Sequence, residues 1–276
     1  MNYNIPIYQP LPEIQLALNA VLKAGEAIIE LYKKNFLTSL KNDNEPITEA
    51  DIKSNTIIQK IISESNYPIL SEEISDNKER LNHKKIWIVD PLDGTTDFVN
   101  RTGEFTIMIG LVENNKPILG VIYWPTAKKL FLGQKGKGAF KFYNGNWTKI
   151  FVSDISELEK CRAVGSRYHI SDKDRKLLTS LKISKFTSKG SSLKVTDISS
   201  GNAELYFTTT HKVKQWDTCA SYCLVTEAGG KMTDMFGNDL EYNTEKLNHE
   251  NGLLVSNGLV HNQIIDIYRE TMKSYE

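Results

Sequence analysis

The chain has 276 residues with 34 basic and 34 acidic side chains, so its formal net charge is zero. This length suits one large domain or two closely packed halves, and the balanced charge without a basic stripe argues against a nucleic acid polymer as partner. Three cysteines without disulfide-type pairing, a start without signal-peptide character and the lack of a long apolar run lead us to expect a cytoplasmic protein with no stable membrane insertion.

The first part of the chain predicts two helices and a short strand. Apolar residues at helical spacing over residues 14–32 predict an amphipathic helix that ends near residues 33–35. A second helix is expected after Thr48, whose hydroxyl can cap it with Asp51 at the third position. Residues 68–71 then predict a short buried strand.

The most informative segment is residues 87–98. Its first residues predict a buried strand that leads into Asp90, and Pro91, which lacks a backbone donor, is expected to end the strand ladder. Asp93 follows in the turn, and Gly94 lets the backbone approach a ligand closely. Carboxylate oxygens at such a bend favour magnesium or calcium over zinc. The simple alternative is a turn whose aspartates only satisfy backbone donors.

Spacing excludes two better-known motifs at this segment. An EF-hand loop begun at Asp90 needs acidic or amide ligands two and four residues later and a glutamate at its twelfth position. This chain has Leu92, Gly94 and Arg101 at those positions. Phosphatases of the haloacid dehalogenase type resemble the segment only superficially, because their two aspartates are two residues apart, whereas Asp90 and Asp93 are three apart.

After this segment the pattern predicts antiparallel strands and then an α/β half. Residues 105–112 and 117–124 flank a turn and predict a hairpin, and helical and strand patterns alternate from roughly residue 150. Further strands are expected at residues 129–132, 138–143, 162–164, 185–187, 204–207 and 252–256, and further helices at residues 172–181, 193–200, 216–228 and from 260 onward. We therefore expect the α/β class, as an α+β sandwich. Its N-terminal half would be residues 1–150 and its C-terminal half residues 151–276.

Two more acids are predicted at the ends of elements, Glu72 after a strand and Asp217 at the start of a helix. Each has a simple explanation, because Glu72 can be solvated and Asp217 can complement a helix N-terminus. If they converged with Asp90 and Asp93, each pair near 4 Å would repel by about 4 kcal/mol at an effective dielectric constant of 20. Such a cluster would need divalent cations.

Three motifs occur together in the chain: Leu70-Ser71-Glu72-Glu73, residues 87–98, and Trp216-Asp217 with Glu227-Ala228-Gly229-Gly230. In their order and spacing they resemble the inositol monophosphatase superfamily of lithium-sensitive, magnesium-dependent phosphomonoesterases. Three other segments make the chain most similar to the CysQ-type 3'(2'),5'-bisphosphate nucleotidases of that superfamily. These are residues 43–51, Gly103-Glu104-Phe105-Thr106 and Gly190-Ser191-Ser192-Leu193-Lys194. The resemblance implies a layered αβαβα sugar-phosphatase-like fold with a mainly antiparallel N-terminal sheet.

The resemblance also implies a site for two or three Mg²⁺ ions. Glu72, Asp90 and the carbonyl of Leu92 would hold the first ion. Asp90, Asp93 and Asp217 would hold the second, and a third would share Glu72. One cation would lower the pKa of a bound water while another stabilised the leaving alkoxide, so no covalent intermediate would be needed.

Roles around the phosphate follow from the same resemblance. Asp51 and Thr95 would form a hydrogen-bonded pair that takes the proton from the attacking water, and the amides of Gly94 and Thr95 would hold the phosphate. The further substrate-binding residues would be Ser166, His169, Ser191 and Lys194. Simple alternatives are a helix cap for Asp51, a surface-loop position for His169 and a structural ion pair for Arg167.

The chain departs from the nucleotidase pattern at two places. Thr208 stands where an arginine is expected, and Asp93-Gly94-Thr95 is followed by Thr96-Asp97 rather than by lysine and glutamate. Losing one charge-assisted hydrogen bond costs roughly 1.5 to 3 kcal/mol, enough to change the ranking of substrates but not the type of reaction. Lys212 or Lys214 would be placed to compensate.

The leading hypothesis is a magnesium-dependent nucleotidase that converts 3'-phosphoadenosine 5'-phosphate to AMP and phosphate, a reaction of sulfur metabolism. An inositol monophosphatase or a sugar phosphatase acting on fructose 1,6-bisphosphate is the close alternative. A non-catalytic, phosphate-binding regulatory protein is the alternative of another class. The expected partner is a small phosphomonoester, and the expected assembly is a monomer or a homodimer.

Overall fold

The computed structural model describes residues 4–34, 38–40 and 46–273. The predicted helix end at Asn35 and the motif residues Asp43, Asn44 and Glu45 lie outside them. The helices in this part of the chain are α1 (Glu13–Tyr32), α2 (Glu49–Ile62), α3 (Thr95–Val99), α4 (Asp172–Ser180), α5 (Leu193–Ser199), α6 (Gln215–Glu227) and α7 (His261–Lys273). The strands are β1 (Thr38–Leu40), β2 (Pro46–Thr48), β3 (Ile69–Ser71), β4 (Lys85–Asp93), β5 (Thr106–Glu113), β6 (Lys116–Trp124), β7 (Lys129–Gln134), β8 (Gly138–Tyr143), β9 (Asn146–Ile150), β10 (Arg162–Ser166), β11 (Lys185–Lys189), β12 (Leu205–Thr208), β13 (Lys231–Thr233) and β14 (Leu253–Ser256).

Two large sheets organise these elements. The first has seven strands in chain order from β3 to β9, and it is antiparallel except for the β3–β4 pair. The second has five strands in the order β11, β10, β12, β14, β13. Its first three strands are parallel, whereas β14 is antiparallel to both of its neighbours. The sheets are made of residues on either side of position 150, although the division into domains there stays a prediction.

Successive side chains of a strand point to opposite faces of its sheet, and helices pack against both faces of each sheet. On β5, Ile107 and Ile109 face the core under α1 and α2, whereas Met108 faces Ala220 and Leu224 of α6. Helices α5 and α6 fill the space between the sheets, and α4 and α7 cover the outer face of the second sheet. The predicted αβαβα layering, with a mainly antiparallel first sheet, is confirmed.

Helix α6 lies unusually close to the first sheet because three glycines form a row beneath it. Gly110, Gly120 and Gly133 are register partners on β5, β6 and β7. A Cβ atom added at Gly120 would lie 2.2 Å from the carbonyl oxygen of Ala220, and one at Gly133 would lie 2.8 Å from the Cα of Leu224. The helix backbone therefore rests directly on the strands, in space that any side chain would occupy.

The second predicted helix begins as expected. Thr48 accepts a hydrogen bond from the Ala50 amide, and the Asp51 carboxylate accepts the Thr48 amide at 2.7 Å, completing a capping box. No helix within the described ranges is both long and apolar enough to cross a membrane.

One predicted boundary is wrong, because Pro91 does not end the β4 ladder. The ladder is interrupted after Asp90 and resumes where Asp93 pairs with Thr106, so the proline lies in a bulge. A bulged residue needs no ladder donor, which is why proline is tolerated there. The helix α3 and the strands β1, β2, β9 and β13 were not predicted.

We predict that Gly120→Ala lowers the free energy of unfolding by about 3 kcal/mol, because the new methyl group must displace the α6 backbone. The measurement is urea unfolding at constant m-value. Gly136→Ala is the control: its Cβ would meet no atom within 4 Å, so only the strain of its positive φ of 73° remains, costing about 1 kcal/mol. Equal losses in the two variants would contradict close packing of α6 as the cause.

Candidate active site

A cavity of about 540 Å³ opens between the two sheets. It collects nearly all of the predicted site residues from segments far apart in the chain. Those that line it are Glu72, Asp90, Leu92, Asp93, Gly94, Thr95, Ser166, His169, Ser191, Lys194 and Asp217. Asp51 does not line the cavity but lies directly behind Thr95, to which it is hydrogen bonded.

The bulge at the end of β4 sets the positions of Asp90 and Asp93. The Leu92 amide donates to Asp90 Oδ1 at 3.1 Å, and Ser54 of α2 donates to the carbonyl oxygen of Pro91 at 2.7 Å. Both bonds use groups that the bulge removes from the strand ladder. As a result two carboxylates three residues apart project into the same cavity, which a regular strand would have turned to opposite faces.

Asp93 is also tied to the second half of the chain. Its Oδ2 accepts the amide of Ser192 and, at 3.4 Å, the hydroxyl of Thr106. The Thr106 and Ser192 hydroxyls are themselves 2.7 Å apart. These partners were not predicted as site residues, although both lie in segments that carry the family resemblance.

Glu72 and Asp217 line the cavity together with Asp90 and Asp93, and we name these four acids the floor of the cavity. Glu72 follows β3 directly, and its amide donates to the Val89 carbonyl at 3.3 Å, which extends the pairing with β4 by one residue. Asp217 lies in the first turn of α6, where its Oδ2 accepts the amide of Lys214 at 2.7 Å. Asp217 therefore complements the N-terminus of α6 and also lines the cavity.

The acids on the floor act on one another electrostatically. Burial raises the pKa of Asp90 well above its usual range, and the charges of Glu72, Asp93 and Asp217 raise it further. Burial and the Glu72 charge likewise raise the pKa of Asp217. For Asp93, burial raises the pKa, while the Lys194 ammonium opposes that shift. The negative charges of these acids thus lie close enough to disfavour one another.

The donor set fits hard divalent cations. Carboxylates in the cavity lining outnumber lysines by five to two, so an anionic substrate would be repelled unless cations were bound. All the candidate ligands offer oxygen atoms, which suits Mg²⁺. Within residues 4–34, 38–40 and 46–273, no three acidic, histidine or cysteine side chains are already arranged as a metal-binding group. The acids share one cavity without forming a closed ligand set.

The Asp51–Thr95 pair is held rigidly. The Thr95 hydroxyl lies 3.0 Å from Asp51 Oδ1 and 3.2 Å from the Leu92 carbonyl oxygen, and the other Asp51 oxygen accepts both the amide and the hydroxyl of Thr48. Burial raises the pKa of Asp51, although its hydrogen bonds oppose the shift. Asp51 is therefore a helix cap that also holds a hydroxyl at the cavity wall.

Two residues with unusual backbone conformations meet beside this pair. Gly94 has a φ of 92° and Ser191 a φ of 48°. A Cβ atom at Gly94 would lie 3.1 Å from the Cβ of Ser191, so a side chain there would crowd the turn before α5. The glycine keeps this corner of the cavity open for a ligand.

The positive side of the cavity comes from the second half. Lys194 is buried, donates to the Ser191 carbonyl oxygen and lies 5.2 Å from the ring centre of Tyr206. Burial lowers its pKa, although nearby carboxylates oppose that shift. Of the two lysines considered as substitutes for the missing arginine, Lys212 lines the cavity, whereas the Lys214 ammonium lies 5.2 Å from the ring of Trp216.

The residues at the end of β10 and just after it form one wall of the cavity. The sequence left two simple alternatives open there, a surface-loop position for His169 and a structural ion pair for Arg167. His169 is exposed, yet it lines the cavity, and its amide donates to the Ser166 hydroxyl at 3.0 Å. Arg167 is absent from the lining and forms ion pairs with Asp97 and Glu104, each at 2.7 Å. The structural ion pair suggested for Arg167 is confirmed. Of its two acidic partners, Asp97 lines the cavity and Glu104 does not, and neither was predicted as a site residue.

Known proteins resemble this chain over most of its length. A sequence profile of the inositol monophosphatase family matches residues 10–273. The 3'(2'),5'-bisphosphate nucleotidase CysQ of Buchnera aphidicola is 39% identical, over 79% of this chain and 83% of that protein. The proteins of the same name from Salmonella typhimurium and Escherichia coli K12 are 38% and 37% identical, and each match covers 83% of this chain and 91% of the relative.

Solved structures show the same architecture. CysQ from Bacteroides thetaiotaomicron, described as a bacterial member of the inositol monophosphatase family, aligns with a TM-score of 0.76 and 31% identity, covering 88% of this chain and 96% of that one. The IMPase of Thermotoga maritima aligns with a TM-score of 0.82 and 25% identity, covering 96% and 100%. The predicted sugar-phosphatase-like fold and the predicted resemblance are both confirmed, and the chain belongs to the inositol monophosphatase family.

Proposed function

We propose that the protein is a magnesium-dependent 3'(2'),5'-bisphosphate nucleotidase that hydrolyses 3'-phosphoadenosine 5'-phosphate to AMP and phosphate. The observation that carries the reaction type is the convergence of Glu72, Asp90, Asp93 and Asp217 in one cavity with Lys194. The choice of substrate is supported by the 37 to 39% identity to relatives named CysQ.

The cation ligands in this proposal are the residues that form the cavity floor. Glu72, Asp90 and the Leu92 carbonyl would hold one Mg²⁺, and Asp93 and Asp217 would join Asp90 around a second, with a third sharing Glu72. Bound Mg²⁺ supplies a water of lowered pKa and neutralises phosphate charge. The mutual repulsion of the acids supports this assignment, because a divalent cation relieves it.

The Asp51–Thr95 pair would receive the proton of the attacking water. With the Thr95 hydroxyl donating to Asp51, the lone pairs of Thr95 face the cavity and can accept a hydrogen bond from water. The two donors of Thr48 fix Asp51 in place, so the geometry needs little reorganisation. The Gly94 and Thr95 amides would hold the phosphate, and Ser191 and Lys194 would bind the remainder of the substrate, with Ser166 and His169 on the opposite wall.

A second candidate function is an inositol or sugar phosphatase. It is favoured by Thr208, which lines the cavity where the nucleotidase pattern has an arginine. A phosphate-binding protein without activity is disfavoured, since all the acids, the Asp51–Thr95 hydrogen bond and Lys194 are present together.

The substrate is tested by Mg²⁺-dependent phosphate release from 3'-phosphoadenosine 5'-phosphate, inositol 1-phosphate and fructose 1,6-bisphosphate, each with and without lithium. We expect kcat/KM for the bisphosphonucleotide to be at least about tenfold higher than for inositol 1-phosphate, because its second phosphate adds at least one charge-assisted contact. We expect it also to exceed that for fructose 1,6-bisphosphate, which has a second phosphate but no adenosine to contact the walls. We also expect lithium to lower the rate. Faster release from the inositol or sugar ester would favour the second candidate, and no release from any of them would favour a binding protein.

Asp217→Asn is expected to lower kcat/KM by roughly 100-fold or more, because it removes an anionic ligand from the centre of charge stabilisation. The fold should persist, since asparagine has the same shape and can still accept the Lys214 amide. Steady-state kinetics and thermal unfolding measure the two effects. Asp239→Asn, at an acid that is 71% exposed and outside the cavity, is the control and should change neither. Near-normal phosphate release by Asp217→Asn would refute the assignment.

Thr95→Val is expected to lower kcat about 100-fold at saturating substrate and Mg²⁺, because it removes the hydroxyl between Asp51 and the attacking water. Thr96→Val is the matched control, since Thr96 also lines the cavity but makes no contact with Asp51. Thr95→Ser keeps the hydroxyl and should recover most of the rate. A similar loss in both valine variants would indicate a general effect on packing instead of a role in proton transfer.

A further inference from the structure

The charged cluster of Arg167, Asp97 and Glu104 joins the two halves of the chain beside the cavity. Arg167 Nη1 donates to Asp97 Oδ1 and Nη2 donates to Glu104 Oε2, each at 2.7 Å. Arg167 directly follows β10 of the second sheet, whereas both acids precede β5 of the first sheet. One guanidinium group thus connects the end of β10 to a segment that lies 63 to 70 positions earlier in the chain.

Each carboxylate of the cluster is fixed by a second donor. Asp97 Oδ1 also accepts the Thr102 hydroxyl at 2.6 Å, and Glu104 Oε2 also accepts the Gly190 amide at 2.8 Å. Asp97 is 4% exposed and Glu104 21% exposed, so these charges are poorly screened by water. The geometry at Arg167 is therefore more constrained than that of an ordinary surface ion pair.

Gly190 contacts both acids of the cluster and also lines the cavity, next to Ser191. A Cβ atom added there would lie 2.3 Å from Asp97 Oδ2 and 2.6 Å from the Glu104 carbonyl oxygen, so the backbone is pressed against the two acids. Two residues later, the Ser192 amide donates to Asp93. The segment 190–192 therefore contacts the Arg167 cluster at one residue and Asp93 at another, and its contact with Asp93 does not involve Arg167.

Arg167 also fixes the opposite wall through its neighbours in sequence. It does not line the cavity itself, but Ser166, Tyr168 and His169 do. The Tyr168 hydroxyl accepts a hydrogen bond from Asn100 at 3.2 Å, which is a second contact between the halves at the same wall. An anchor between two lining residues limits how far the wall can move from the floor.

We propose that Arg167 is a positioning residue that holds this substrate-binding wall in register with the cavity floor. We name the wall, formed by Ser166, Tyr168 and His169, the β10 wall. This role rests on the proposed function only in its assumption that the cavity binds a phosphomonoester. Weakening the anchor should therefore reduce the binding of a substrate large enough to reach the β10 wall, while the chemistry at the floor is retained.

The test compares 3'-phosphoadenosine 5'-phosphate with p-nitrophenyl phosphate, a small ester that lacks the nucleoside and the second phosphate. For Arg167→Met we expect KM for the nucleotide to rise about 30-fold, since a small misplacement of binding groups is costly. The KM for the small ester and the kcat for both should change less than about threefold. The Mg²⁺ concentration for half-activation should also stay within about threefold, because Asp93 keeps its Ser192 and Thr106 contacts.

Further variants separate positioning from stability. Arg167→Lys reaches only one carboxylate and should give an intermediate KM. If Arg167→Met folds poorly because Asp97 is left buried without a positive charge beside it, Arg167→Met with Asp97→Asn removes the charges of both residues and allows the same measurement. Arg162→Lys is the control, because Arg162 forms a similar pair with Glu204 at the start of β10, four residues before Ser166, and does not line the cavity. It should lower stability without changing KM for the nucleotide.

The outcomes distinguish this role from the proposed function. An unchanged nucleotide KM in Arg167→Met, or an equal loss of kcat on both esters, would overturn the positioning role. If the wild-type enzyme releases no phosphate from the bisphosphonucleotide but acts on the inositol or sugar ester, the proposed substrate is wrong. The same KM comparison then uses that ester. If no ester turns over, calorimetric binding of the bisphosphonucleotide to wild type and Arg167→Met decides the role of Arg167, with equal affinities overturning it.

Discussion

The architecture depends on holding carboxylates of like charge together in one cavity, although the charge of each raises the pKa of its neighbours. Asp90, Asp93 and Glu72 come from the edge of the first sheet, but Asp217 comes from a helix that belongs to the second half of the chain. The negative charges repel one another, and this repulsion raises the pKa of Asp90 and Asp217. Packing energy elsewhere must hold them, and the contact of α6 with the first sheet is the largest candidate. The row of glycines on β5, β6 and β7 makes this contact close enough to bring the start of α6 to the cavity.

The two halves of the chain also supply different groups to the candidate active site. The first half supplies most of the proposed oxygen ligands and the Asp51–Thr95 pair, on elements whose positions are fixed by a bulge and a helix cap. The second half supplies Lys194 and most of the wall residues. A rigid floor suits a reaction that depends on preorganised charge, since its groups need not move when the transition state forms. In the proposed function the walls contact the parts of the substrate that do not react, so they could change without altering the reaction type.

Periodicity predicted most of the longer elements, and the family resemblance implied the layers and the residues that share the cavity. Periodicity was strong for α1, β5 and β6, and the acids followed strand or helix ends where side chains converge. It could not show that Pro91 lies in a bulge, because the bulge depends on pairing between Asp93 and Thr106, which are far enough apart to leave no local pattern. The partners of Arg167 were hidden for the same reason. Whether an arginine faces a ligand or two carboxylates is decided by tertiary packing, about which its neighbours in sequence carry no information.

Specificity is the property that this fold determines least. Thr208 removes a cation from the cavity lining, and only one of the two nearby lysines is in a position to replace it. Lys212 lines the cavity and is exposed, so it can reach an anionic group without the desolvation cost that Lys194 already bears. Lys214 instead lies against the Trp216 ring, and its backbone amide donates a hydrogen bond to the Asp217 carboxylate. A flexible lysine at the rim recognises phosphate as a point charge, whereas an arginine fork also fixes its orientation. This cavity should therefore favour a second phosphate while tolerating more variation in where that phosphate is attached.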